Sequence, residues 1–184
     1  MTVRIEWGEL VALEPRIDEV AQHVTALARA YNDPHNAPLL GHTSVLTEGD
    51  VLEHYERLIT SGAHPFLMFE GGELAGDGDL RGLEGGAAEF AYLIAAPSAQ
   101  GKGLGTRFAT MLNAFAFEGL GLERVYATFV PQNAASRRVF EKLGYRVAEA
   151  GDFGDDGDVV MVVERAAFLA QFAPAMAEIR IAVR

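Results

Sequence analysis

The sequence predicts one mixed α/β domain over residues 1–184, and three observations carry that expectation. Apolar residues recur at helical spacing through the first third of the chain. From Pro65 the period falls to two, and three short strands follow one another around glycine turns. The third strand then enters a glycine-rich loop that opens a helix, and a strand, a helix and two more strands complete the order. At 184 residues, with 49% hydrophobic and 22% charged positions, the chain can bury one full core.

A short strand, Val3 to Trp7, comes first. Ile17, Val20, Ala21, Val24, Leu27, Ala28 and Tyr31 trace one face of a helix that Asn32-Asp33-Pro34 stops. A second helix starts at Thr47, whose hydroxyl pairs with Asp50 as a capping box, and runs through Val51, Leu52, Tyr55, Leu58 and Ile59 to Gly62. His35 to Val45 is a loop between them. Phe66 to Glu70, Glu73 to Arg81 and Ala87 to Ala95 read as an antiparallel meander. Leu104, Phe108, Met111, Leu112 and Phe115 make a third helix ending at Gly119 or Gly121. The strand Arg124 to Val130, the helix Asn133 to Leu143, and strands around Tyr145 to Ala148 and Val159 to Glu164 follow. The tail from Ala166 begins as a helix, breaks at Pro174, and ends with Ile179, Ile181 and Val183 alternating as in a strand. The two terminal strands either pair with each other or join a second subunit in a homodimer.

Charge and composition exclude several functions. A net charge of −11 argues against nucleic acid as a partner, because such proteins carry a dominant basic surface. No cysteine is present, so zinc–thiolate sites and acyl-cysteine intermediates are ruled out. His23, His35, His42, His54 and His64 show no close metal-ligand spacing, and no metal is expected. No apolar run approaches the roughly 20 residues of a membrane helix. Arg4, Glu6 and Glu9 interrupt any secretory signal, and a cytoplasmic location is the expectation. The charge is uneven: Ala99 to Leu143 has six basic and three acidic residues, and holds both lysines of the chain, Lys102 and Lys142. A compact anion would bind there.

Gly101, Gly103 and Gly105 stand between a strand and a helix, free of side-chain bulk, so that several N–H groups can converge on an anion at the helix's positive end. This is a phosphate cradle. A dinucleotide fingerprint would need a third small residue where Thr106 or Phe108 stands, and a P-loop would need Ser or Thr at position 103.

Gln100, Gly103 and Gly105 satisfy Gln-x-x-Gly-x-Gly, which resembles the pyrophosphate motif of the GNAT N-acetyltransferase superfamily. A second resemblance follows in register: Asn133-Ala134-Ala135-Ser136, ending in Leu143-Gly144-Tyr145, is similar to the family's Asn-x-x-Ser/Ala helix and its Leu-Gly-Phe/Tyr end. The likeness covers about Pro65 to Glu164. Asn32-Asp33-Pro34, Phe115-Ala116-Phe117 and Val130-Pro131-Gln132-Asn133 look most like the branch that acetylates ribosomal-protein N-terminal amines.

The resemblance implies a central mixed, mostly antiparallel sheet of roughly six to seven strands flanked by about four helices, with a splayed strand pair holding acetyl-CoA. It implies cofactor contacts from Leu93, Ile94 and Ala95 on the strand, from Gln100, Gly101, Lys102, Gly103, Leu104, Gly105 and Thr106 in the cradle, and from Asn133, Ser136 and Phe140. Arg107, Arg137 and Arg138 are further candidates for the phosphates. Glu89, eleven residues before Gln100, resembles the family's strand general base. Phe140 stands where many relatives carry a tyrosine that protonates the leaving thiolate. Ser136, one turn earlier, resembles the serine used for this in the N-terminal-amine branch, and Tyr145 is a weaker substitute. The function implied is direct acetyl transfer from acetyl-CoA to a primary amine. Glu149, Asp152, Asp155, Asp156 and Asp158 in the last loop favour a cationic acceptor, a protein N-terminus or a small molecule. Two alternatives stay open: an enzyme of this fold using a longer acyl-CoA, and a non-catalytic acyl-CoA-binding module.

Overall fold

The computed structural model describes residues 2–41, 44–95, 100–148 and 157–183. The N-terminal strand is one arm of a hairpin, β1 (Val3–Trp7) and β2 (Leu10–Leu13), turning at Gly8. The first predicted helix is two, α1 (Ile17–Ala21) and α2 (Val24–Tyr31), parted at Gln22 and His23. A 3-10 turn, Ala37–Leu40, lies in the loop that follows. In α3 (Glu48–Thr60) Thr47 caps as predicted, with Asp50 closing the box.

Strands β3 (His64–Glu70), β4 (Glu73–Glu84) and β5 (Ala87–Ile94) form the meander. Next come α4 (Leu104–Ala114), which continues as a π-helical turn over Phe115–Gly119, then β6 (Arg124–Phe129) and α5 (Ala134–Lys142). Strand β7 is only Arg146–Val147, because Tyr145 turns into the core instead. After β8 (Val159–Glu164), α6 (Arg165–Met176) is broken two residues before Pro174, close to where the sequence places the break, and resumes as a short second segment. The strain appears as a kink at Phe172, because proline offers no N–H to the preceding turn. Strand β9 (Arg180–Val183) closes the order.

Among the described residues all nine strands belong to one sheet, β7-β8-β6-β5-β4-β3-β2-β1-β9, so the sheet is wider than the six to seven strands expected. The surplus comes from the β1–β2 hairpin and from β9, which pairs with β1 of the same chain. Every neighbouring pair is antiparallel except β5 and β6.

Strand periodicity sorts the apolar residues into two layers. On β3, Phe66 and Met68 join α4, α5 and α6 in the larger core, with Phe108, Phe117 and Phe168 fully buried. Leu67 points the other way, into a smaller core with Leu27, Tyr31, Val51 and Tyr55 of α2 and α3. β5 divides likewise, Phe90 and Ile94 to the first layer and Leu93 to the second. Among the described residues no helix is long and apolar enough to cross a membrane.

Candidate active site

Strands β5 and β6 run parallel only over Ala87–Glu89 against Arg124–Tyr126. Beyond that they part, because β5 stays with β4 up to Ile94 while β6 stays with β8 up to Phe129. The Ala95 N–H donates to the Ala75 carbonyl at 2.8 Å. By the alternation of an antiparallel ladder, the Ile94 backbone then faces the opposite side, into the opening. Its carbonyl accepts from the Gln100 side chain at 3.1 Å, and the same amide donates to Asn36 Oδ1 at 3.1 Å. Gln100 thus ties the loop to the end of β5 and to the loop after α2.

Gly101 (φ +74°) and Gly103 (φ +83°) take the left-handed conformation that side-chain-bearing residues rarely adopt. Gly103 is the N-cap of α4, and among the described residues no side chain caps that helix, so the amides of its first turn are directed at an external acceptor. Gly105 is required for a different reason. A Cβ there would lie 3.2 Å from the Tyr92 ring, so glycine lets the helix close on β5. Asn133 caps α5, accepting from the Ser136 N–H at 3.0 Å.

A cleft of about 320 Å³ gathers most of the predicted cofactor residues: Leu93, Ile94, Gln100, Gly101, Gly103, Gly105, Thr106, Asn133 and Ser136 all line it. Four predicted contacts are not brought there. Leu104 and Phe140 are 3% exposed and belong to the core. Phe140 lies among the rings of Phe90, Tyr92, Phe129 and Tyr145, so the aromatic position is kept for packing rather than for a proton donor. The N–H of Ala95 is used within the sheet, and Lys102 points to solvent outside the cleft. Arg138 and Lys142, one turn apart on α5, are the cations that line it, with His35 at its edge. Arg107 instead lies over the Trp7 ring, 4.9 Å from its centre, and donates to the Trp7 carbonyl. Uncapped amides, a glycine cradle and two cations fit the diphosphate of coenzyme A.

A second cleft of about 370 Å³ opens on the other side of β5, between β4, β5 and α3. The two clefts share Leu40, Tyr92 and Leu93. Tyr92 is the candidate residue on this strand to which sequence reasoning gave no role. Burial pushes its hydroxyl up to about 12, against a hydrogen bond with the Ser136 side chain that pulls the other way. Ser136 and Tyr92 both line the first cleft. Tyr145 is spoken for: its hydroxyl donates to Asn113 Oδ1 at 2.7 Å in the core.

Glu89 does not line this cleft. It lies on its lower flank, where Arg81 Nε donates to it at 3.0 Å. The buried carboxylates of the cleft are Asp77 and Asp79 on β4, which sequence reading passed over. Their signal was two acids at strand spacing, Gly76-Asp77-Gly78-Asp79, within an apolar meander where acids are depleted. Asp77 Oδ2 accepts from the hydroxyls of Tyr31 and Tyr55. Burial raises Asp77 to about 6, opposed by both tyrosines. Asp79 rises to about 7, again through burial first; Arg81 opposes the rise, and the charges of Asp77 and Glu89 add to it.

Because both carboxyls bind protons more tightly folded than unfolded, their contribution to stability is full below about pH 4. It is lost as pH rises through about 6 for Asp77 and 7 for Asp79. Asp79→Asn should therefore gain stability relative to the native chain between pH 5 and pH 8. Urea unfolding at both pH values measures this, and an equal difference at the two would contradict it.

Of the five residues Glu149, Asp152, Asp155, Asp156 and Asp158, only Asp158 is among the described residues, and His42 is also outside them. Among the described residues no cluster of His, Asp and Glu suited to a metal ion occurs.

Comparison with known proteins agrees with this geometry. The model of the acetyltransferase (GNAT) domain matches residues 16–146. RimJ of Mycobacterium smegmatis, solved with CoA-disulfide, superposes with a TM-score of 0.74 at 18% identity, over 98% of this chain and 96% of that one. Spermidine N-acetyltransferase from Vibrio cholerae, solved with CoA and spermine, gives 0.73 at 18% identity over 88% and 98%. Ribosomal-protein-S5-alanine acetyltransferase from Vibrio fischeri gives 0.70 at 17% identity over 90% and 98%. With a domain match spanning most of its length, a sheet that splays where β5 leaves β6, and a glycine cradle at the mouth of α4, this chain belongs to the GNAT acetyltransferase family.

Proposed function

We propose that the protein is an acetyl-CoA-dependent N-acetyltransferase that passes the acetyl group directly to a primary amine. The observation that carries this reading is the meeting of two clefts at Tyr92 and Leu93, one fitted to a diphosphate and the other floored by carboxylates. Bound acetyl-CoA would supply an activated acetyl group. The chain's own residues supply the rest. The amides of Gly103 and Gly105 would hold the diphosphate with Arg138 and Lys142, and the backbone of Ile94 would receive the donor's extended arm. Tyr92, protonated at neutral pH and lining the first cleft with Ser136, stands at the junction to give a proton to the departing sulfur. Glu89 orients Arg81.

The solved relatives named above act on a polyamine or on ribosomal protein, which supports an amine acceptor without choosing one. The test is thiol release from acetyl-CoA against peptides with free N-termini, lysine peptides, polyamines and aminoglycosides. Release dependent on at least one of these amines is expected. Tight acetyl-CoA binding with no release across the whole set would favour the non-catalytic reading, and faster release from a longer acyl-CoA would reassign the donor.

A further inference from the structure

The second cleft has apolar walls, Leu40, Leu46, Val51 and Leu93, and a charged interior in which almost every acid is already engaged. Asp50 accepts from the Thr47 amide and hydroxyl, both at 2.7 Å. Glu53 pairs with Arg57 at 3.0 Å, and Asp77 is held by two tyrosine hydroxyls. His54, from α3, also borders the cleft.

Asp79 is the exception. It is 7% exposed, and its Oδ1 is fully buried and accepts no hydrogen bond among the described residues. Arg81 comes only to 3.6 Å of that oxygen, beyond hydrogen-bonding range, because its Nε is turned to Glu89 at 3.0 Å. A buried acceptor without a donor is destabilising, and a ligand donor would recover that loss. A guanidinium fork needs two acceptors side by side, whereas an ammonium group makes a bond to a single oxygen. The register sets Asp79 opposite Ala91, on the face of the sheet that Leu93 shares two residues further along β5. Two strand residues span about 7 Å, a gap that a side chain, an amine nitrogen and one water can bridge.

We propose, resting on the acetyltransferase reading above, that Asp79 Oδ1 receives the ammonium group of a primary alkyl amine in this cleft and takes its proton. The N–H bond to that proton breaks and an O–H bond forms, leaving a neutral nitrogen that can attack the acetyl carbon. As the C–N bond forms and the C–S bond breaks, the nitrogen loses a second proton. Sulfur gains one proton, by way of Tyr92, and solvent receives the other. Asp79 is thus a catalytic residue. Its ionisation is governed by burial, by Arg81 and Asp77 on its own strand and by Glu89 on β5; from the helices Tyr31 and Tyr55 couple to it, and Asp50, Glu53, His54 and Arg57 line the same cleft.

The experiment compares the native protein, Asp79→Asn and Glu89→Gln. Each is titrated with acetyl-CoA alone, and its CoA complex is titrated with putrescine, spermidine and an alanyl dipeptide amide. Thiol release with the same amines is followed from pH 5.5 to 9. Asp79→Asn should bind acetyl-CoA as the native protein does, bind the amines at least tenfold more weakly, and turn over about 100-fold more slowly, within the usual range for removing a general base. The acid limb of kcat/KM, centred near pH 7 in the native protein, should vanish in Asp79→Asn and persist in Glu89→Gln. Three results would overturn the proposal: turnover of Asp79→Asn within threefold of native, an acid limb that depends on Glu89 instead, or a native CoA complex that binds none of the three amines. Failure of the native protein to bind acetyl-CoA would overturn the acetyltransferase reading itself, and Asp79's catalytic role with it.

Discussion

A Gly103→Val variant should bind acetyl-CoA roughly 10- to 100-fold more weakly than the native protein. Position 103 has φ +83° and no neighbour within 4 Å of an added Cβ, so the penalty is conformational rather than steric. A β-branched residue resists the left-handed region by about 1–2 kcal/mol, and relief comes from rotating the peptide planes that aim the first amides of α4. Each charge-assisted bond lost to a phosphate oxygen is worth about 1.5–3 kcal/mol, and one such bond accounts for the expected loss. Gly71→Val is the control. Gly71 has φ +57° and equally open surroundings, but it lies in the β3–β4 turn, remote from the cradle. Both variants should lose a few degrees of thermal midpoint, and only Gly103→Val should lose the ligand in calorimetry. Equal affinities in the two variants would remove the cradle from the binding site.

Tyr92→Phe should lower kcat about 10- to 100-fold at pH 7 and leave the KM for acetyl-CoA within about twofold. The ring is kept, so its stacking on Phe90 and its contact with Gly105 survive, and only the hydroxyl at the junction is removed. A thiol has an ordinary pKa near 8.5, so the leaving sulfur needs a proton less as pH rises. The deficit should therefore shrink above about pH 8.5. Ser136→Ala removes the other hydroxyl that lines this part of the cleft. A loss below about threefold there, under about 1 kcal/mol of barrier, would mean that Tyr92 acts without it. A Tyr92→Phe enzyme as fast as the native one at pH 7 would leave the sulfur to depart unaided.

What could be read from the sequence was local. Gly101 and Gly103, between an apolar strand and an amphipathic helix, favour left-handed turns and bare amides whatever surrounds them, and Asn133 caps its helix through a neighbour three residues away. These features depend on backbone conformation and short spacing, so the cradle, the order of elements and the family were legible. The same reading overreached wherever a side chain's role depended on where it pointed. Lys102 is in the loop but faces water, while Arg138 and Lys142, a helix away in sequence, line the cleft. Phe140 has a functional position in the motif, yet the rings around it make it core.

The tertiary structure alone decided which groups the two clefts bring together. Tyr92 became a candidate acid because Gly105 lets α4 approach it and because it lines both clefts. Asp77 and Asp79 look like ordinary strand acids until α2 and α3 cover β4, excluding the water that would have held their pKa values low. Sequence specifies which groups a strand carries and on which face. Whether a carboxylate is charged, paired or waiting for a donor depends on the dielectric and the partners that distant segments bring, and those exist only once the chain has folded.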